Sequence, residues 1–258
     1  MVFPTPGRAV RLADLSYPEV EALLAAVGFK VALLPVGSTE AHGPHLPLAT
    51  DSLISEAVVE RAAEELAALG HLAAVLPPVH YAVTEWARSF AGSASIDVEA
   101  AIGVVLGACR AARAMGFDRV VVFTAHLEPG HIASLREVAR RYADETGQAL
   151  LFIDTTRRTL AARLTPEFQS GSCHAGRYET SLMLAIRPEL VRRDLAAGLP
   201  DNPVPLAEHI RAGKQGFLEC DMPQAYCGAP AEASAEEGQQ TLATLAALVV
   251  EAVVASLP

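Results

Sequence analysis

Aromatic side chains are scarce, at 5% of the 258 residues, and charged ones reach only 19%. The interior is left to Ala, Val and Leu within an apolar fraction of 51%, which suits helices packed on a parallel sheet and argues against disorder. Basic charge is also short: 20 Lys and Arg face 30 Asp and Glu, for a net charge of −10 and a pI near 5.3. A nucleic-acid surface needs clustered Lys and Arg, so no nucleic-acid partner is expected. The nearest basic cluster, "RRYADE", is offset by its own acids and reads as a solvated helix face. The four cysteines (Cys109, Cys173, Cys220 and Cys227) contain no C-x-x-C pair to hold zinc or run redox chemistry. They read as reduced thiols in a cytoplasmic protein. Long hydrophobic runs are missing too. The C-terminal run "TLATLAALVV" stops at Glu251, too short for a bilayer, and "MVFPTPGRAV" lacks the apolar core of a signal peptide. No membrane is expected.

What the chain does have is alternation. "KVALLPVG" (30–37) reads as a strand and "SLISEAVVERAAEELAALG" (52–70) as a helix; "LAAVLPPVHYA" (72–82) is a second extended run. A helix over 97–116 has Asp97 as N-cap and Gly116 as its stop. "DRVVVFTA" (118–125) is a buried strand, 131–147 a helix and "QALLFIDT" (148–155) a further strand. Apolar strands alternating with amphipathic helices predict an α/β fold, three layers α/β/α around a mostly parallel sheet. Beyond residue 155, "YETSLMLAI" reads as a helix stopped by Pro188, residues 198–235 as a long surface excursion, and the C-terminus as a last helix. No repeat or linker divides the chain, so residues 1–258 are expected to form one domain.

Ligands of an open parallel sheet lie beyond the carboxyl ends of its strands. Two polar clusters fall there: "STEAHGPH" after the first strand and "TAHLEPGH" after the "RVVVF" strand. Glu40 and His42, two apart on extended backbone, point to the same side, and His126 and Glu128 repeat that spacing. Asp51 opens the following helix. Each has an ordinary explanation taken singly: Asp51 as a helix N-cap, His42 as a hydrogen-bonded loop histidine, Glu40 as an acid facing water, and His126 and Glu128 as a turn before a helix starting near Pro129. Together they form a carboxylate- and imidazole-rich set suited to Zn²⁺, Mn²⁺ or Fe²⁺. A third cluster, "CHAGRYETS" (173–181), places His174 before Gly176 and Glu179 in a first helical turn. The remaining histidines read as structural or surface, with His45 the nearest to a supporting role.

These segments resemble the creatininase family of metal-dependent amidohydrolases. "LPVGSTEAHGPHLPLATD" is similar to the family's first signature almost throughout, "HAGRYETSLML" to its later one, and "GAPAEASAEEG" to its C-terminal run. The resemblance implies a hydrolase acting on a non-peptide C–N bond, with creatinine-like cyclic amides or lactams as the foremost substrates and two divalent metal ions (Zn, Mn or Fe) per chain. By the same resemblance Asp51 would bridge the ions, Glu40 and His126 would hold one, and His42 and Glu179 the other. Glu128 would act beside them, as a ligand or by orienting a proton-donating water, and His174 would move a proton or place the substrate. A homo-oligomer, a hexamer foremost, and a small-molecule amide substrate complete the expectation.

Departures from the family pattern fall where substrate would sit. "TAHLEP" keeps His126 but loses two Asn positions, Leu127 stands where creatininase carries an aromatic, and "EWARSFAGS" puts Trp86 where relatives have His. Trp86, Leu127 and Ser93 are therefore the candidate substrate-binding residues. A formamide deformylase, a mycofactocin-type peptidase of the same family, and a catalytically silent metal-binding oligomer are the alternatives.

Overall fold

The computed structural model describes residues 9–257. Most of "MVFPTPGRAV", the segment lacking a signal-peptide core, lies outside them. The elements run β1 (Val10–Arg11), α1 (Tyr17–Ala25), β2 (Lys30–Val36), α2 (Thr50–Ala68), β3 (Leu72–Val75), α3 (Val98–Met115), β4 (Arg119–Thr124), α4 (Pro129–Thr146) and β5 (Leu151–Ile153). There follow α5 (Arg158–Ala161), α6 (Pro166–Ser170), α7 (Arg177–Ile186), α8 (Arg193–Gly198), α9 (Leu206–Arg211) and α10 (Ala235–Val254), with short 3₁₀ turns between. The five strands form one sheet in the order β1-β3-β2-β4-β5, and every pairing is parallel.

The central strand β2 is buried on both faces, which is why it reads as an unbroken apolar run. Its side chains alternate between two cores. Val31 and Leu33 pack with Ile54, Val58, Leu182 and Leu245 of α2, α7 and α10. Ala32, Leu34 and Val36 pack with Leu23, Ile102, Val105 and Leu135 of α1, α3 and α4. This is the three-layer α/β/α arrangement expected from the sequence. The chain leaves β2 for the α2 face and leaves the neighbouring β4 for the α4 face. Adjacent strands whose continuations part to opposite faces open a crevice at their carboxyl ends.

Local signals set several boundaries as expected. Asp97 caps α3 by accepting from Ala100 N–H at 2.9 Å, and Gly116 ends it with φ 106°. Elsewhere tertiary structure moves them. Helix α2 begins at Thr50, before Asp51, not after it. The extended run expected over 72–82 pairs only to Val75, because Pro77 and Pro78 have no N–H to offer a ladder; beyond them Val79 and Ala82 make isolated bridges. The excursion over 198–235 carries α9 and two 3₁₀ turns.

Helices α7 and α10 meet at Gly238, where an added Cβ would stand 1.9 Å from Ser181 O and 2.8 Å from Ala185 Cβ. Gly238→Ala must push the two helices apart, and we expect a loss of about 3 kcal/mol by denaturant unfolding. Gly107→Ala in α3, with open space around it, should instead stabilise by about 0.5 kcal/mol.

Candidate metal centre

The site begins with a close approach. A Cβ on Gly37 would stand 2.4 Å from the backbone of Ser52, so only glycine lets the chain leave β2 against the first turn of α2. Ser38 then donates to Asp51 Oδ2 at 2.7 Å, and Ser52 Oγ donates to Ser38 O at 3.2 Å. One turn on, Ser55 Oγ donates to Val36 O and accepts from Ala125 N–H, both at 2.9 Å. One helix thus ties together the ends of β2 and β4, the two strands that carry the clusters. The N-cap of α2 is Ala49, and no side-chain cap is made there, so the capping explanation for Asp51 is set aside. Asp51 sits in the first turn, where the helix dipole favours its negative charge.

The five candidate ligands converge, all buried. Asp51 faces two ways: Oδ1 lies 3.3 Å from His42 Nε2, and Oδ2 lies 3.1 Å from His126 Nδ1. Glu179 Oε2 joins the first side, 3.5 Å from His42 Nε2, and Glu40 Oε2 the second, 3.1 Å from His126 Nδ1. His42, Asp51 and Glu179 form one group able to hold an ion; Glu40, His126 and Glu128 form another. The other ring nitrogens are held by backbone: His42 Nδ1 by Glu40 O at 3.0 Å and His126 Nε2 by Val83 O at 2.8 Å. A carbonyl can only accept, so those nitrogens carry the protons and the lone pairs point at the carboxylates. Glu40 Oε2 and His42 Nε2 are buried with no hydrogen-bond partner. Orphaned donor atoms of this chemistry, facing one another, fit divalent cations.

Without cations the cluster must carry protons. Burial pushes Glu40 up to about 7 and Glu179 up to about 8, against the pull of the imidazoles. Burial would lower His42 and His126, but Asp51 beside the first and Glu40 beside the second raise both to about 10. Burial opposes ionised Asp51 as well, yet His42 and His126 hold it well below the carboxylate range. Among the described residues no Lys or Arg pairs with these carboxylates.

Glu128 stands at the N-cap of α4, where its oxygens accept from the N–H groups of Glu85 and Trp86, each at 3.1 Å. His174 is pinned through Nε2 to Ala41 O at 3.1 Å, and its Nδ1 looks toward Glu40 Oε1 at 3.6 Å. Its ring is packed between those of His42, centroids 4.4 Å apart, and Phe217, 4.3 Å apart, with the ring planes tilted by 36° and 34°. His174 also groups with Glu40 and His42 as a possible ligand set. Trp86 and Leu127 line the cleft above these groups, a space of about 470 Å³ counting solvent at its mouth. Ser93 does not line it. Its hydroxyl accepts from Ala41 N–H at 3.0 Å, so it braces the loop carrying Glu40 and His42. His45 braces the centre from beneath through Thr180 Oγ1 at 2.8 Å. His131, one of the histidines that read as structural or surface, is buried against His126, ring centroids 4.9 Å apart.

The far wall of the cleft is not legible in the sequence. Leu206, Ile210 and Phe217 of the 198–235 excursion line the cleft, and Phe217 packs edge-on to Trp86 at 6.1 Å. The one available signal was the apolar set "GFLECDMPQAYC" amid polar chain, which forms a small core of its own with Ala41 and Ala87.

Comparison with known proteins shows what the chain is similar to. A family model described as "Creatininase: Creatinine amidohydrolase" matches residues 13–253. The chain is 34% identical over 220 residues to a mycofactocin precursor peptide peptidase of Mycobacterium ulcerans, covering 83% of this chain and 80% of that protein. It is 33% identical over 216 residues to a creatinine amidohydrolase of Pseudomonas putida, covering 77% and 80%. Its fold superposes on the solved structure titled "Creatininase Mn" with a TM-score of 0.72 at 25% identity, covering 97% and 100% of the two chains.

The pKa directions set a pH dependence for metal-free protein. Glu40 and Glu179 are raised above their ordinary value of 4.5, and His42 and His126 above 6.5, so each contributes stability that is complete below the ordinary value. That contribution is lost as pH rises through about 7 to 10. With chelator present, the Tm should fall from pH 6 to pH 9, and saturating Mn²⁺ or Zn²⁺ should abolish that fall. A flat profile for the chelated protein would contradict a proton-loaded cluster.

Proposed function

The chain belongs to the creatininase family, and on that premise we propose that it is a two-metal amidohydrolase cleaving the C–N bond of a small neutral amide with a flat or apolar part, a cyclic amide or lactam foremost. The observation that carries this reading is Asp51, whose two oxygens each face a different imidazole–carboxylate pair. Glu40 and His126 would hold one ion, His42 and Glu179 the other, with Asp51 between them. Bound there, two dications supply a nucleophile from water near neutral pH and polarise a carbonyl.

The chain's own residues do the rest. The carbonyls of Glu40 and Val83 fix the ring faces of His42 and His126, so little rearrangement accompanies binding. With Nε2–H of His174 given to Ala41 O, its Nδ1 is the atom that takes a proton and passes it to the departing nitrogen. Without such a donor the amine would have to leave as an anion. Glu128, steadied by two amides, faces Glu40 and His126 and is the second group able to relay that proton. Trp86, Leu127 and Phe217 exclude water and hold the apolar part of the amide. Among the described residues no Lys or Arg lines the cleft, which disfavours phosphorylated or otherwise anionic substrates.

A second reading, hydrolysis of a peptide bond beside an apolar residue, is favoured by the same apolar wall together with the similarity to a peptide peptidase. Metal-loaded protein assayed on creatinine, hydantoins, lactams, formamides and short apolar peptides separates the two. Turnover confined to peptides would replace the first reading with the second, and two bound ions with no turnover on any of them would point to a silent metal-binding protein. Asp51→Ala should lose both ions by elemental analysis and all measurable activity. Glu128→Gln should keep at least part of the metal and lose about 100-fold or more in kcat. An Asp51→Ala protein with full metal content would refute the bridging assignment.

A further inference from the structure

Two of the groups at the centre, His174 and Glu179, come from one segment, and that segment is under local strain. Ala175 between them is held at φ 50°, a left-handed conformation unfavourable for a residue with a Cβ. Its N–H donates to Glu179 Oε2 at 2.6 Å, so the strained turn aims the carboxylate directly. Something must hold the residues on either side. Cys227 N–H donates to His174 O at 2.9 Å on one side. On the other stands Glu167, from α6. Its Oε1 accepts from Arg177 N–H at 3.0 Å and Ala229 N–H at 2.8 Å, and its Oε2 from Tyr178 N–H at 2.6 Å.

Those three amides belong to two segments: the first turn of α7 and the stretch just after Tyr226 and Cys227. Two glycines make room for the carboxylate. A Cβ on Gly176 would stand 2.8 Å from Glu167 Oε2, and one on Gly228 2.2 Å from Oε1. A carboxylate at the start of a helix is favoured by the dipole and by the free N–H groups there. Here the charge comes from a separate helix, so it fixes where α7 begins and not only that it begins. The segment containing Ala229 continues back to Phe217, which packs against His174 with ring centroids 4.3 Å apart.

We propose that Glu167 is a positioning residue of the metal centre, clasping the start of α7 to the 227–229 segment so that Glu179 and His174 keep their aim. It touches neither metal nor substrate. This rests on the reading of Glu179 as a ligand, and the experiment separates the two. Full-length protein stripped of metal is titrated with Mn²⁺ in competition with a chelator, for the unaltered chain, Glu167→Gln, Glu167→Asp and Glu179→Gln. Gln keeps the shape of Glu but turns an NH₂ toward N–H donors. Glu167→Gln should weaken one of the two Mn²⁺ affinities by about 10- to 100-fold and leave the other unchanged. Glu167→Asp, which keeps the charge but shortens its reach, should fall between, and carries the same reading if the Gln variant does not fold. A Glu167 variant that lowers the Tm of metal-free protein while both affinities stay as they were makes the clasp merely structural and overturns the proposal. If Glu179→Gln loses an ion and the Glu167 variants lose none, the clasp alone fails. If Glu179→Gln loses none either, the ligand assignment fails with it.

Discussion

Glu40, Asp51 and Glu179 set three carboxylates within a few ångströms of one another at 1–4% exposure, with two imidazoles between them and no Lys or Arg paired to them among the described residues. Like charges so placed repel strongly where water cannot screen them. The groups can either hold protons, as the raised values of Glu40, Glu179, His42 and His126 describe, or hold cations. Most of the surrounding structure serves to keep that arrangement from relaxing. Ser38, Ser52 and Ser55 stitch the first turns of α2 to the ends of β2 and β4. Gly37 permits the approach, and the Glu40 and Val83 carbonyls prevent the two rings from turning away.

The sheet explains why the groups can meet at all. β2 and β4 are neighbours, and their continuations part to opposite faces, leaving a crevice at their ends. Into it α2 directs its first turn and α7 its own, so charge-bearing residues arrive at helix starts where negative charge is favoured. The apolar wall is built differently. Trp86 comes from the irregular stretch after β3, and Phe217 from a segment that forms a small separate core with Met222, Cys220 and Ala87. The polar floor is thus framed by the sheet and its long helices, whereas the wall comes from loops, with Trp86 and Phe217, and from the short helix α9, with Leu206 and Ile210. Loops tolerate change more readily than framework, so proteins sharing this centre can differ in the amide they accept.

The sequence made β2, β4, α3 and the two His/Glu pairs legible because their signals are local: unbroken apolar runs, Asp97 and Gly116 as caps, and residues two apart on extended chain. The three-layer fold followed from alternation. Other features were illegible because the deciding partner is distant. Ser93 braces the loop through Ala41 N–H, 52 positions away. Asp51 taken singly could have been a helix cap, and only its engagement by Ser38, His42 and His126 sets that explanation aside. Phe217 lies in a stretch with no periodicity, and Glu167 meets three backbone amides, 10, 11 and 62 positions away, which no side-chain pattern records.

The claim on which all of this turns is that one carboxylate lies between two cations. Anomalous diffraction from crystals loaded with Mn²⁺ or Zn²⁺ tests it most directly. The account predicts two peaks about 3.5–4 Å apart, one on each side of Asp51. A single peak, or a pair that leaves Asp51 outside their contact, would contradict it.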